Sequence, residues 1–372
     1  MALPLELLYA ASSLGAGNGE TLASYRAGVA PGLLEIAGDI PGRSIWFGAV
    51  PCELPEIAEP EWNMRSNRLL ALAADAAAPR LAELVARYGA KRVGVVIGAS
   101  NTGVDEAQRQ VDAWLDAGTA EPPDALRFSM IELGTPSAWL KRRIGAEGPG
   151  YTVSTACSSA TKAFGAARRL IERGICDAVV TGGVDARCRF AMNGFQALGA
   201  LSAGRCRPLA PDRDGINLGE AVALFVLTRD CVSEVELAGI GESSDAWHAT
   251  APDPEGRGAE AAMRAALADA GIGPEAVDYV NLHGTGTVAN DEMEMKAVGR
   301  VFGPEPSARI ESTKGLTGHC LGAAGAIEAA ICHLLIAAGD AHIAMSNSFA
   351  FGGSNATVVL RARRTDDGGK GV

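Results

Sequence analysis

What this chain lacks narrows its function before any motif is read. Among its 372 residues there is no Lys/Arg-rich run beyond Lys141-Arg142-Arg143, and the net charge is −11. Such a surface argues against nucleic acid as a partner, since phosphate binding needs a basic face. The longest apolar run, 329–338, is too short to span a bilayer and contains His333. The first residues, Met1 to Glu6, lack the basic stretch that opens a secretory signal. No membrane span is expected, and the expected location is cytoplasmic. The eight cysteines include no C-x-x-C pair and none of the paired spacing of a zinc site, which implies free thiols, a reducing compartment and no metal. Low-complexity stretches are absent too. With 48% apolar residues the chain is long enough for one large core or two fused ones.

What is there is an alternation of strand and helix signals that starts over near Ser233. In the first pass, 5–11 reads as a strand, 20–27 as a short helix, and a loop carrying Pro41, Pro51, Pro55 and Pro60 follows. Helical spacing holds over 67–88. The run Val93-Gly-Val-Val-Ile-Gly98 suits a strand covered on both faces. Helices are expected over 106–115 and 136–143, strands over 151–155, 178–183 and 221–228, and an irregular charged stretch over 206–220. The second pass has strands at 235–240, 279–283, 342–346 and 356–361 and helices at 258–270, 291–300 and 321–338. This predicts a duplicated α/β architecture with halves 1–232 and 233–372.

One joint in this pattern stands out. After the β-prone run to Thr155 comes Cys157, and then Ala160, Phe164, Ala167, Leu170 and Ile171 recur at amphipathic-helix spacing until Gly174. A cysteine amid Ala and Ser is ordinarily a small core residue. At the start of a helix, however, unpaired N–H groups and the positive dipole end favour a thiolate, which is where a nucleophile belongs. Two of only five histidines sit at comparable glycine-rich joints. His283 opens His-Gly-Thr-Gly-Thr287, and His319 stands in Thr-Gly-His-Cys-Leu-Gly-Ala-Ala-Gly325. A fourth polar stretch is Asn347-Ser-Phe-Ala-Phe-Gly-Gly-Ser-Asn355.

These motifs together, T-A-C-S-S, H-G-T-G-T, S-T-K-x-x-T-G-H-x-x-G-A-A-G and N-S-F-x-F-G-G-x-N, resemble the elongating β-ketoacyl-acyl-carrier-protein synthases, over nearly the whole length. The segments 213–220, 241–248 and 251–258 are similar to ketosynthases of aryl-polyene-type pathways. The resemblance implies a thiolase-like duplicated layered α-β-α-β-α fold. It implies a transfer of an acyl group from carrier protein to Cys157, followed by decarboxylative condensation with a malonyl thioester. His283 and His319 would donate to the growing enolate, and Lys314 would tune the His319 side. Glu328, a carboxylate within an apolar helix, would organise the site. Phe351 would supply an oxyanion N–H and form the gate with Phe349, and Thr285 and Thr287 would hold the pantetheine arm. No cofactor is implied beyond the carrier's phosphopantetheine. The expected partners are an acidic acyl carrier protein, docked on Arg65, Arg68, Arg205 and Arg207, and a second subunit, either identical or a chain-length factor. The strand over 178–183 would join a sheet across that interface, and Phe190, Met192 and Phe195 would shape the acyl tunnel. Ala350 and Ala210 depart from the family pattern, and the connection 337–341 is short. A silent chain-length-factor-like subunit and another thiolase-fold acyltransferase are the alternatives. The first lacks a nucleophile, and a degradative thiolase would need a second cysteine near the C-terminus.

Overall fold

Ten principal strands fall into two sets of five in the computed structural model, which describes residues 1–123, 126–230 and 233–363. The first set is β1 (Leu3–Ser12), β2 (Val93–Gly98), β3 (Gly150–Val153), β4 (Ala178–Asp185) and β5 (Ala221–Thr228). The second is β6 (Val235–Ser244), β7 (Tyr279–Asn281), β8 (Arg309–Glu311), β9 (Ile343–Ala350) and β10 (Ser354–Ala362). Their spatial order is β3-β2-β4-β5-β1 and β8-β7-β9-β10-β6. Counted within its own set, each order is the same. The directions match as well: β2 is parallel to both its neighbours, as β7 is, while the next two pairings in each set are antiparallel. The sets meet along β1 and β6 at Leu3↔Leu237 and Pro4↔Glu236.

Helices complete the layers. On the outer face of the first sheet lie α1 (Arg65–Ala76), α2 (Ala78–Tyr88) and α3 (Thr135–Ile144). Between the sheets lie α4 (Ser159–Glu172) and α7 (Ala324–Ala337), the latter touching strands of both. On the far side, α5 (Arg257–Ala270) covers β6 and β10, with α6 (Val288–Phe302) beside it. These are the five layers that the thiolase-like resemblance implies. The sequence of α7, Ala-Gly-Ala-Ile-Glu-Ala-Ala-Ile-Cys-His-Leu-Leu-Ile-Ala, is apolar almost all round, as a helix with sheets on both sides must be. All eight residues of β4 and of β5 are buried, so both strands are covered on both faces rather than alternating between core and solvent. The two central helices approach so closely that a Cβ on Gly325 would lie 2.0 Å from Thr161 Oγ1. Only glycine fits there.

Several expectations change. The helical stretch 67–88 is two helices that part at Ala77, with Pro79 in the first turn of the second, where it needs no N–H partner. The proline-bearing segment holds a hairpin, Leu33–Ile40 with Arg43–Gly48, whose second strand pairs with Leu218–Gly219. A further helix, Arg189–Ala197, lies where none was predicted. The strand over 178–183 cannot extend across an interface, because β4 is paired on both sides by β2 and β5. The open edge of that sheet is β3.

Candidate active site

Three of the singled-out residues converge at the ends of strands and helices around one buried point. Cys157 stands between β3 and the first turn of α4. The residue before it, Ala156, is held at φ 52°, a left-handed conformation that costs an L-residue about 1–2 kcal/mol and turns the chain sharply at Cys157. His319 follows the short helix Lys314–Thr317 and is pinned by its backbone. Its N–H donates to Asn217 O at 2.6 Å, and its carbonyl accepts from Gly219 N–H at 3.0 Å. This delivers His319 Nε2 to 3.0 Å from Cys157 Sγ. His283 lies two residues past the strand β7, and its backbone N–H and that of Gly284 donate to the two oxygens of Glu294, at 2.8 and 2.7 Å. Its ring lies edge-on to that of His319, with centroids 5.2 Å apart, and near Phe349, 6.2 Å away. One sulfur and one nitrogen from each imidazole lie within 4.8 Å of one another, all in buried residues.

Burial sets the protonation states. It pushes the Cys157 thiol up to about 12, with Lys314 opposing and Asp185 and Glu328 adding to the rise. It holds His283 and His319 well below the usual imidazole range, and Lys314 pushes both further down. Burial thus favours a thiol beside neutral imidazoles and opposes the thiolate that the helix start favours. Charge appears on the reacting atoms only during a reaction, in a dry site where fixed donors act most strongly.

Lys314 and Glu328 form a fully buried ion pair beneath the trio. Burial pushes Glu328 up to about 7, opposed by Lys314, and Glu294 also to about 7. A cavity of ≈ 400 Å³ reaches Cys157, His283 and His319, and Thr285, Thr287, Phe349 and Phe351 line it. The two threonine hydroxyls lie 3.0 Å apart. Phe351 is half-exposed and faces Phe195 across the cavity, with ring centroids at 5.7 Å.

The arginines expected to dock a carrier protein are placed otherwise. Arg65 donates to both oxygens of the buried Glu220, at 2.7 and 2.5 Å, an internal tie that also receives the N–H groups of Val50 and Arg187. Arg68 donates to the carbonyls of Leu54 and Pro55 and pairs with Glu56 at 2.8 Å. Arg207 pairs with Asp212 at 2.5 Å, and Arg205 lies over the Trp46 ring at 4.6 Å. Arg65 and Arg68 are thus held by internal partners, while Arg205 and Arg207 are exposed.

Sequence reasoning missed two carboxylates. Asp185, buried at the end of β4, accepts from Ser100 N–H, Ser100 Oγ, Asn101 N–H and Gly322 N–H at 2.9, 2.6, 3.0 and 2.6 Å, tying the loop after β2 to the turn after His319. Burial raises it to about 6 against those bonds. Glu294 orients the His283 backbone and accepts from Asn347 Nδ2 at 3.2 Å. The only signal for Asp185 was an acid closing an apolar strand. Glu294 sits in the ordinary polar pattern of α6 and gave none.

A thiol, two neutral imidazoles and a buried lysine describe acyl transfer through a thioester, and sequence comparison decides the family. Residues 58–231 match the family described as Beta-ketoacyl synthase, N-terminal domain, and 235–345 its C-terminal domain. A 3-oxoacyl-[acyl-carrier-protein] synthase 2 of Staphylococcus aureus is 35% identical over 314 residues, covering 73% of this chain and 77% of the relative. The chain belongs to the β-ketoacyl synthase family. The synthase of the same name from Coxiella burnetii is also 35% identical over 314 residues, covering 73% of this chain and 75% of its own. Among solved structures, a chain from the ketosynthase ApeO in complex with its chain length factor ApeC, from Xenorhabdus doucetiae, superposes with a TM-score of 0.90 at 39% identity, covering 97% and 98% of the two chains. A chain of the AntDE:AntF complex, a type II polyketide ketosynthase with its acyl-carrier protein, has a TM-score of 0.85 at 22% identity, covering 98% and 100%, which shows the shared fold. This β-ketoacyl synthase is thus an acyltransferase. No helix among its described residues is long and apolar enough to cross a membrane.

Proposed function

We propose that this synthase extends a carrier-bound acyl chain by two carbons, with Cys157 as nucleophile and His283 and His319 as the paired donors of the condensation step. The observation that carries the reading is the 3.0 Å approach of His319 Nε2 to Cys157 Sγ, with a second neutral imidazole beside it. In the first half-reaction Cys157 Sγ attacks the acyl thioester carbonyl. The S–H proton passes to the departing carrier thiolate, the new C–S bond forms and the old one breaks, and His319 keeps its Nε2–H for the second step. The start of α4 and the backbone N–H groups of Cys157 and Phe351 stabilise the oxyanion. In the second, a malonyl thioester loses CO₂, and its enolate oxygen accepts from the two imidazoles, each worth about 3–4 kcal/mol by analogy with a single oxyanion donor. The enolate carbon attacks the acyl-Cys157 carbonyl, a C–C bond forms and the cysteine leaves as thiolate, to be reprotonated. Lys314, paired with Glu328, keeps both imidazoles neutral and so available as N–H donors. Thr285 and Thr287 accept the pantetheine arm, and Phe349 and Phe351 divide the acyl and malonyl branches.

This chemistry calls for no metal or organic cofactor and fits a cytoplasmic enzyme. The structural relatives named with a chain length factor and with an acyl-carrier protein support the same two kinds of partner here, the second subunit pairing along the open edge at β3. The alternative of a silent chain-length-factor-like subunit is disfavoured by the assembled trio. The test is intact-mass analysis after incubation with carrier proteins bearing acyl groups of different length and unsaturation. An acyl adduct is expected on the wild type and none on Cys157→Ala, and addition of malonyl-carrier protein should then yield a product two carbons longer. An adduct that persists in Cys157→Ala would refute the assignment.

A further inference from the structure

The three side chains at the centre of the site are also a donor set that borderline-soft divalent cations prefer. Cys157 Sγ and one nitrogen from each of His283 and His319 lie within 4.8 Å of one another, the only such cluster among the described residues. Cys157 Sγ and His319 Nε2 are already 3.0 Å apart. A tetrahedral zinc ion, bonded at about 2.3 Å to sulfur and 2.0–2.1 Å to nitrogen, needs its donors roughly 3.4–3.6 Å from one another. Side-chain movements of about an ångström therefore close the three around one ion. All three line the cavity of ≈ 400 Å³, which admits a hydrated ion and leaves a fourth position open to water, as zinc sites with three protein ligands do. Thiolate and imidazole select zinc and its neighbours over magnesium or calcium, which take oxygen. The surrounding charges permit a cation: Lys314 is paired with Glu328 in a fully buried ion pair, and Asp185 is a further carboxylate whose field reaches Cys157. The outer contacts are weak, however. Resident metal sites hold the second imidazole nitrogen with a carboxylate or carbonyl, whereas Nδ1 of His319 is buried with no hydrogen-bond partner. An ion that enters is therefore free to leave.

We propose that Cys157, His283 and His319 reversibly capture a divalent cation of the zinc class, and that the occupied site is closed to acyl loading until the ion leaves. On capture, Cys157 Sγ and the two imidazole nitrogens replace waters of the hydrated ion. The S–H proton is released to solvent, and each imidazole stays neutral with its ring proton on the nitrogen away from the ion. One water remains in the fourth position. An acylated Cys157 has no thiolate to offer, so the ion competes with the acyl donor and spares the acyl-enzyme. The site itself stands on the geometry of three side chains; its effect on acyl loading rests on the nucleophile role given to Cys157 above.

The test uses cobalt(II) as a coloured stand-in for zinc. Wild-type enzyme titrated with cobalt should develop a thiolate-to-cobalt charge-transfer band and the intense visible bands of a four-coordinate ion. Both should be missing once Cys157 carries an acyl group, or a carboxamidomethyl group from iodoacetamide, neither of which needs a substitution in the core. His283→Ala and His319→Ala, checked for folding by thermal melts, should each weaken cobalt binding at least about tenfold. Micromolar free zinc should slow the labelling of Cys157 by an acyl N-acetylcysteamine thioester at least about tenfold, and EDTA should restore the rate. The site is overturned if the wild type gives no charge-transfer band, if the band survives alkylation of Cys157, or if either folded histidine variant binds cobalt as tightly as wild type. Labelling that zinc does not slow, or that EDTA does not restore, overturns the reversible block. Cobalt bands in an enzyme whose Cys157 accepts no acyl group even without metal would uphold the site and refute the synthase reading.

Discussion

The two halves of this synthase share one strand order and part company where the third strand hands over to the buried helix. In the first half, β3 ends at Val153 and α4 begins at Ser159, leaving the five residues 154 to 158. In the second, β8 ends at Glu311 and α7 begins at Ala324, leaving the twelve residues 312 to 323. The short crossing has room for one reactive side chain, Cys157, set at the helix start by the strained turn at Ala156. The long one adds a helical turn and carries Lys314 and His319, and α7 then supplies Glu328 against Lys314. Duplication thus provides a frame that brings two helix starts to one buried point. The unequal connections provide the groups that the proposed chemistry uses, Cys157 from one side and Lys314 and His319 from the other.

The largest test of that division is Lys314→Met. It leaves Glu328 buried without its partner, and a loss of roughly 3–5 kcal/mol in stability is expected by denaturant titration. Much of that loss should return in the double variant with Glu328→Leu, which removes the stranded carboxylate. A single variant as stable as wild type would mean that the long connection is anchored by something else. Next in size is the contact that holds the two halves at their fixed separation. Gly325→Ala puts a methyl group into Thr161 Oγ1, and about 1–3 kcal/mol of destabilisation is expected in thermal melts. Thr161→Ala in the same chain should restore most of it, and no restoration would show that α4 and α7 yield rather than clash. The smallest effect sharpens the first half alone. Because burial places the Cys157 thiol at about 12, its thiolate fraction grows about tenfold per pH unit throughout the neutral range. Alkylation of Cys157 by iodoacetamide should therefore accelerate without a plateau from pH 6 to 9. A plateau below pH 8 would mean that the helix start outweighs desolvation after all.

Local patterns made much of this molecule legible. Continuous apolar runs such as Ala221–Thr228 are strands because nothing else buries both faces of so short a segment. Alanine-rich amphipathic spacing marked α5, and Gly174, at φ 66°, closes α4 as its position suggested. The site was legible where motif and joint coincide, at Cys157, His283 and His319. The long helical stretch misled at Ala77, since periodicity alone does not register that a proline two residues on begins a second helix. The hairpin of 33–48 was missed because its first strand does not alternate, and the helix Arg189–Ala197 because it is only 9 residues long and carries Gly194 within it. Both are held by distant partners, Leu218–Gly219 for the hairpin and, for the helix, its Arg189 ion pairs with Asp105 and Asp112.

Electrostatics shows the same limit. That Arg65 faces Glu220, and that Asp185 gathers four donors from two remote loops, depends on residues 155 and 84 to 137 positions apart in the chain. No local pattern encodes such a meeting. By itself the sequence determined the α/β alternation, its repetition and the three residues that meet at the buried point, because these depend on neighbours within a few turns or on motifs short enough to read. Only the tertiary structure decided that burial pushes the Cys157 thiol up and that Arg65 and Arg68 are turned to internal partners. Each of those depends on how much water is excluded and which distant charge takes its place.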